Sequence, residues 1–502
     1  MMKRYRIIFV VAMLLGVYGC SAGPDFSGGR LPRVSAYTPA PLAAQTVSAS
    51  SKLGDAQTFV NGAEIPEQWW SLFKSKELDA LIREALAANP ALLAAEAALR
   101  QAQEEVNART GEVYYPGVSL SAGSSHQKVS PAANGLSGGK ASIFDLHHAS
   151  VAVTYVFDFF GGSRREIEAF KAKVDYEKFR LEGAYLSLSG NVVTAVIQEA
   201  MLRELLTAAA EIVASQEKQV SLLEKQLMMG GASRADVLSL RAQLEAMRAT
   251  IPAYQKDLSR TRHQLAALLG KMPEDAGGVS EFNLDAMALP TEIPVSFPGA
   301  LARQRPDVRA AEALLHAASA GVGVASANLY PQVTLNGAYG PEAGHLEKFF
   351  NGESLVWNLG AGVTQPIFNG GALRARKRAA LAAYDQAAAH FRETVIGAFQ
   401  NVADVLKALE ADALILKAQS EAAAASREAL MIAREQFKVG AVNILFVLNA
   451  ERQYQETWMN LIRAQAARLA DTAALFQALG GGWWHSENPG NGIVKDSKGE
   501  GL

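Results

Sequence analysis

The second half of this 502-residue chain repeats its first at a displacement of about 210 residues, and each matched landmark is a point where one secondary structure gives way to another. Asn89-Pro90, opening the run to Glu96, returns as Arg305-Pro306, opening the run to Glu312. Tyr115-Pro116 before Val118-Ser-Leu120 returns as Tyr330-Pro331 before Val333-Thr-Leu335, and Phe159-Phe160-Gly161-Gly162 returns as Phe368-Asn369-Gly370-Gly371. Gln226 to Gly230 and Asp236-Val237-Leu238 match Gln436 to Gly440 and Phe446-Val447-Leu448, and Leu269-Gly270 matches Leu479-Gly480. A period this long excludes a solenoid of short repeats and specifies two copies of one large unit.

Each unit reads from its punctuation. Pro90 and Pro306 suit the first turn of a helix, where a missing N–H costs nothing. After each Tyr-Pro the period changes to two. Val118, Leu120 and Ala122 alternate with serines, and Val151, Val153, Tyr155, Phe157 and Phe159 alternate with smaller or polar residues. In the second copy Val333, Leu335 and Gly337 share a face, and Leu355, Trp357, Leu359, Ala361 and Val363 alternate with Asn358, Gly360, Gly362 and Thr364. Loops over roughly 123–149 and 340–354 join these strands, so each unit supplies one hairpin. Helical periodicity then runs from Ser163 to Met229 and from Ala372 to Val439, each about 100 Å long if unbroken. Pro90 to Glu112 and Ser233 to Gly270 are read as shorter helices that together nearly cover the long one. The expected architecture is a long antiparallel helical assembly with a β-hairpin at one end, built twice.

Composition places it. Hydrophobic content of 49% with 20% charge describes a folded chain, and a net charge of −2 argues against nucleic acid as a bulk partner. The one long apolar run, Ile7 to Val17 behind Lys3, Arg4 and Arg6, has the form of an export signal and is too short to span a bilayer. It ends at Gly19-Cys20, and Cys20 is the sole cysteine, which excludes an internal disulfide. Gly19-Cys20 resembles a lipobox, with acylation at Cys20, although Tyr18 is bulkier than the usual residue there; a signal peptide with an incidental cysteine is the alternative.

With no later apolar helix, insertion into a membrane falls to strands, because only helices and closed barrels satisfy every backbone group in lipid. Tyr115, Phe157, Phe159, Tyr330 and Phe368 gather at one end of the strands, as an interfacial girdle would. Four strands cannot close a barrel, whereas three chains would bring twelve. A soluble half-buried sheet also fits the alternation. Arg164-Arg165 and Arg374, Arg376, Lys377 and Arg378 would lie near headgroups or on a solvated helix face.

The run from Arg305 to Glu312, Tyr-Pro before an alternating strand, Phe-Asn-Gly-Gly before a long helix, Trp69-Trp70-Ser71-Leu72-Phe73, Ala478 to Trp483 and the lipobox together resemble the lipoprotein (NodT) branch of the TolC-like outer membrane factors. The resemblance covers nearly the whole mature chain. It implies a mixed α/β membrane protein: a homotrimer sharing a 12-stranded transmembrane β-barrel continuous with a long periplasmic α-helical barrel. It further implies docking to a periplasmic adaptor and an inner-membrane transporter for export of drugs or other small molecules. The expected divisions are a signal peptide (1–19), a lipidated N-terminal segment (20–75), a first repeat (76–270), an equatorial linker (271–297), a second repeat (298–480) and a C-terminal tail (481–502). In this family the residues just after the periplasmic helix turns constrict the pore. The matching positions are Asp236 in the first repeat and Leu445, Phe446 and Asn449 in the second. Acidic residues are common in that family where Phe446 and Asn449 stand, but both are neutral here, so an apolar closure by Leu445 and Phe446 is expected, with Asp236 supplying cation preference; ordinary helix packing by Leu445 and Phe446 is the alternative.

Catalysis finds little support. The eight histidines are scattered, and His147-His148 lacks the partners of a metal site. The glycine pairs do not follow the phosphate-loop pattern. No cofactor or metal is expected, and the chain is read as no enzyme. A protein-secretion duct stays open beside efflux; a non-porous lipid-anchored scaffold is disfavoured, because it has no use for two repeated hairpins with aromatic ends.

Overall fold

A computed structural model of the chain describes residues 21–29, 36–39, 41, 43–131 and 140–485. The signal segment and Cys20 lie outside the described residues. In chain order the elements are β1 (Thr58–Asn61), α1 (Lys76–Ala88), α2 (Pro90–Tyr114), β2 (Gly117–Val129), β3 (Ser142–Phe157), α3 (Gly162–Met228), α4 (Arg234–Arg248), α5 (Thr250–Leu268), β4 (Glu292–Val295), α6 (Pro298–Gln304), α7 (Pro306–Ala327), β5 (Gln332–Ala343), β6 (Leu355–Thr364), α8 (Ala372–Lys438) and α9 (Ile444–Ala478). They group into two compact units. One holds residues 98–177 and 311–391 with the segment before residue 31; the other holds the remainder.

In the first unit four antiparallel strands run in the order β2-β3-β5-β6. The register carries one chemistry across the sheet. Leu120 pairs with Val151, Val151 with Tyr339 and Tyr339 with Trp357; Val118 pairs with Val153, Val153 with Gly337 and Gly337 with Leu359. Because successive side chains alternate between faces, these residues form a single apolar face, while Ser119, Ser121, Ser150, Thr154, Asn336, Asn358 and Thr364 fall on the other. Ser121 and Ser150 meet there at 3.1 Å. The strands outrun the sequence expectation: β2 and β3 continue through the serine- and histidine-containing stretch assigned to a loop, since cross-strand pairs such as His126 with Asp145 extend the ladder. His147 and His148 stand on opposite faces of β3. At the base of the strands Phe160 stacks on Tyr330 with ring centroids 4.6 Å apart.

Both long helices form unbroken, 67 residues each. The return helices differ. The second, α9, is continuous over 35 residues, whereas the expected single helix from Ser233 to Gly270 is divided at Ala249 into α4 and α5. Pro252 explains the division: its ring clashes with the carbonyl of residue 248 and it offers no N–H to continue the ladder. Ile462 occupies the matching place in the other repeat.

In the second unit β1 and β4, distant in sequence, pair in parallel from Thr58 with Glu292 to Asn61 with Val295. Trp69, Phe73 and Phe476 form an aromatic core beside them. Arg468 on α9, fully buried, donates to the carbonyls of Leu53 (3.0 Å) and Asp55 (2.8 Å) and to the Thr46 hydroxyl (3.0 Å), tying the N-terminal segment to the bundle. The two terminal guanidinium nitrogens are thus occupied, which offsets much of the cost of burying the charge, while Nε finds no acceptor among the described residues.

Glu182 on α3 is buried, which raises its pKa to about 7; Lys178 opposes the shift and Glu67 adds to it. A carboxyl whose folded pKa lies above its ordinary value gives stability below that ordinary value and loses it as pH rises through the folded one. Between pH 5 and pH 8 the native protein is therefore expected to lose thermal stability, and Glu182→Gln to flatten that dependence. Unfolding temperatures of both proteins at the two pH values check this; an equal slope in both would assign the loss to other groups.

Candidate gate and anchor sites

The candidate gate positions sit in the second unit, just past the ends of the two long helices, where the chain turns back. Each turn is built the same way. Gly230 adopts φ 77° and Gly440 φ 75°, left-handed values that only glycine reaches without strain. The N–H of Gly231 reaches the carbonyl of Gln226 (2.7 Å) and that of Ala441 reaches Gln436 (2.9 Å), so orphaned helix carbonyls are satisfied in both repeats. The next helix starts on a side-chain cap. Ser233 Oγ accepts the Asp236 N–H at 3.1 Å and Asn443 Oδ1 accepts the Phe446 N–H at 3.1 Å.

These caps fix which residues point where. Ile444, Val447 and Leu448 of α9 turn inward with Val237, Leu240 and Leu244 of α4, packing against Val220, Leu223, Leu430 and Ala433 from α3 and α8. That leaves Leu445, Phe446 and Asn449 on the outer side of the same turns, with Leu445 48% and Phe446 53% exposed in the single chain. Asp236 has a second duty absent from the sequence reading: its carboxylate accepts the Ser233 N–H (3.2 Å) and hydroxyl (2.7 Å), completing a reciprocal cap. Four gate candidates thus share one end of the helices, Asp236 on the first turn and the other three on the second.

Sequence reasoning also missed a polar rung just inside this apolar cluster. Glu451 is 3% exposed, and its Oε1 accepts from Gln219 (2.9 Å) and Arg434 (3.0 Å). The signal was available, because Glu451 falls on the inward stripe of Ile444, Val447 and Leu448 at the helical spacing.

The anchor candidate is approached from the residues that follow it. Within the first unit the Ala22 N–H donates to the Phe160 carbonyl (2.9 Å), and Arg165 donates to the Ala22 carbonyl (3.3 Å) and pairs with Asp25 (2.5 Å). Phe26 stacks on His316 at 4.4 Å, whose ring lies 2.9 Å from Glu168, and the Gly29 N–H reaches Glu312 (3.2 Å). Gly23 crosses Gly323 so closely that a Cβ on Gly23 would lie 2.4 Å from the Gly323 Cα. Residues 21–29 are therefore strapped to the start of α3 and along α7 from Gly323 back to Glu312, beginning beside the Phe160–Tyr330 stack.

Among the described residues no helix is long and apolar enough to cross a membrane. The sequence profile of the family described as outer membrane efflux protein matches residues 81–271 and 298–481, one match per repeat. The pyoverdine export outer membrane protein OpmQ of Pseudomonas aeruginosa is 30% identical over 454 residues, 89% of this chain and 94% of that protein. The antibiotic efflux pump outer membrane protein ArpC of Pseudomonas putida is 28% identical over 98% of both chains. Among solved structures, the outer-membrane channel OprN superposes with a TM-score of 0.82 at 28% identity, covering 92% of this chain and all of that one.

Proposed function

Because the chain belongs to the outer membrane efflux protein family, we propose that it is the outer-membrane duct of a tripartite efflux pump, conducting small molecules passively to the exterior. Three copies close a 12-stranded barrel in the outer membrane above a periplasmic helical barrel, and the duct works with a periplasmic adaptor and an inner-membrane transporter. The observation that supports this most is the four-stranded sheet, apolar on one face and polar on the other, whose edge strands β2 and β6 have no further strand partner among the described residues. A lipid-facing exterior, a wet lumen and two open edges are what a shared barrel requires. The relatives are named for pyoverdine export and antibiotic efflux, which favours efflux over protein secretion. The chain is read as a conduit and not an enzyme. Deleting the gene and measuring the minimal inhibitory concentrations of a drug panel tests the assignment: susceptibility to several unrelated compounds should rise and return on complementation, while a defect confined to a secreted protein would support the other duct class.

Cys20 is the proposed lipid anchor, since the strap that follows it delivers residue 21 to the aromatic base of the sheet. The intact mass of the mature protein should correspond to a chain beginning at Cys20 and carrying acyl groups. A different N-terminus or an unmodified thiol would remove the anchor from the account. Cys20→Ser should still trimerise, because the barrel itself holds the protein in the membrane. Leu445 and Phe446 are the proposed apolar closure of the periplasmic end, with Asn449 beside them and Asp236 as the fixed negative charge.

A further inference from the structure

The internal repeat supplies a template for the contact between copies. Within the chain, the hairpin and helices of the first repeat meet those of the second where β3 and α3 lie against β5 and α7. In a closed ring the same junction recurs where β6 and α8 of one copy meet β2 and α2 of the next, because β6 corresponds to β3 and β2 to β5.

The internal junction has clear register. A Cβ on Gly162 would lie 3.2 Å from the Ala327 Cβ, the Arg165 side chain lies against Gly323, and Glu168 contacts His316. Ser319 and Ala320, between His316 and Gly323 in sequence, are 3% and 1% exposed. Gly162 corresponds to Gly371, which carries Arg165 to Arg374 and Glu168 to Lys377. Glu96 corresponds to Glu312 and Tyr115 to Tyr330, which carries Ser319 or Ala320 to Glu104. Glu104, exposed in the single chain, thus occupies the place that is buried at the internal junction, opposite the stretch from Arg374 to Lys377 of a second copy.

Glu104 brings a negative charge to that place, while Arg100 or Gln101 stands where His316 does in the second repeat. The start of α8 carries Arg374, Arg376, Lys377 and Arg378 with no acidic residue in its first turn, and the helix dipole disfavours cations at an N-terminus unless an anion accompanies them. We propose that Glu104 of each protomer enters the basic cradle of Arg374, Lys377 and Arg378 on its neighbour and fixes which edges join. Glu104 is already oriented on the α2 surface by Asn107, whose amide donates to it at 3.2 Å. The pairing joins β6 to β2 of the next copy and opposes a β6-to-β6 contact, where two basic helix starts would face each other.

This rests on the trimeric reading, and the test separates the two. In a non-ionic detergent the wild-type trimer should dissociate at a lower temperature as salt is raised, because the pair is screened. Glu104→Lys should lower that temperature well beyond the control Glu274→Lys, an exposed charge away from α2, and adding Arg374→Glu with Arg378→Glu to Glu104→Lys should recover more than half of the loss. If Glu104→Lys fails to assemble at all, Glu104→Gln serves: its trimer should lose most of the salt dependence. Trimers whose stability is equally affected by both lysine variants, are not rescued, or keep their salt dependence in Glu104→Gln would overturn the pairing alone. A wild-type protein that is not trimeric would overturn the reading beneath it.

Discussion

Leu359→Arg should eliminate the trimer from the outer membrane, whereas Asn358→Arg, one residue earlier at nearly the same depth, should assemble. Leu359 stands at the middle of β6, a strand of 10 residues, and lies on the face that also carries Trp357, Val363, Leu335 and Val153. Strands of about 9–11 residues, tilted, span the hydrocarbon layer, so the middle of β6 lies near the bilayer midplane. A lipid-facing arginine there costs about 2–4 kcal/mol per copy. Asn358 points to the polar face, where water solvates a charge. Heat-modifiable trimer in outer-membrane fractions is the readout. Equal yields of the two variants would contradict the assignment of a lipid face and a water face, and assembly of Leu359→Arg alone would reverse it.

Replacing Leu445 and Phe446 together with alanine should raise single-channel conductance in planar bilayers several-fold. The helix-turn geometry drives this expectation: the Asn443 cap and the inward packing of Ile444, Val447 and Leu448 leave only the outer side of the turn for residues 445 and 446. Three copies of two large apolar side chains then oppose wetting of a narrow end, and truncation removes that barrier. Asp236→Asn separates charge from capping, because an amide oxygen can still accept from Ser233. It should reduce cation selectivity with little change in trimer stability. Unchanged conductance in the double alanine variant, with trimers intact, would move the constriction elsewhere along the duct.

The parts of this fold that the sequence announces are those where solvent imposes a period. Lipid on one side and water on the other write a strict two-residue alternation into β3 and β6, and the repeat doubles the signal. The long helices announce themselves by an absence of proline over 67 residues. Contacts without a local period stay hidden: β1 and β4 are 4 residues each and find one another from opposite ends of the first repeat. The strap of residues 21–29 depends on a glycine-on-glycine crossing at Gly23 and Gly323, which leaves no hydrophobic pattern. At the gate, the repeat and the family resemblance mark the candidate positions, but neither marks the reciprocal cap between Ser233 and Asp236, because Asn443 and Phe446 at the matching places of the second repeat form only half of it. Pro252 stands amid a helical pattern that continues on either side of it, and one proline is enough to divide a helix.

The central claim, that three chains share one barrel, is tested most directly by electron cryomicroscopy of the purified full-length protein in a lipid environment. The account predicts a three-fold particle with a single barrel of twelve strands, in which β6 of each chain continues the sheet by pairing with β2 of its neighbour and the apolar face that includes Leu359 meets lipid. A barrel closed within a single chain, or a particle joined through like edges, β2 to β2 or β6 to β6, would contradict it.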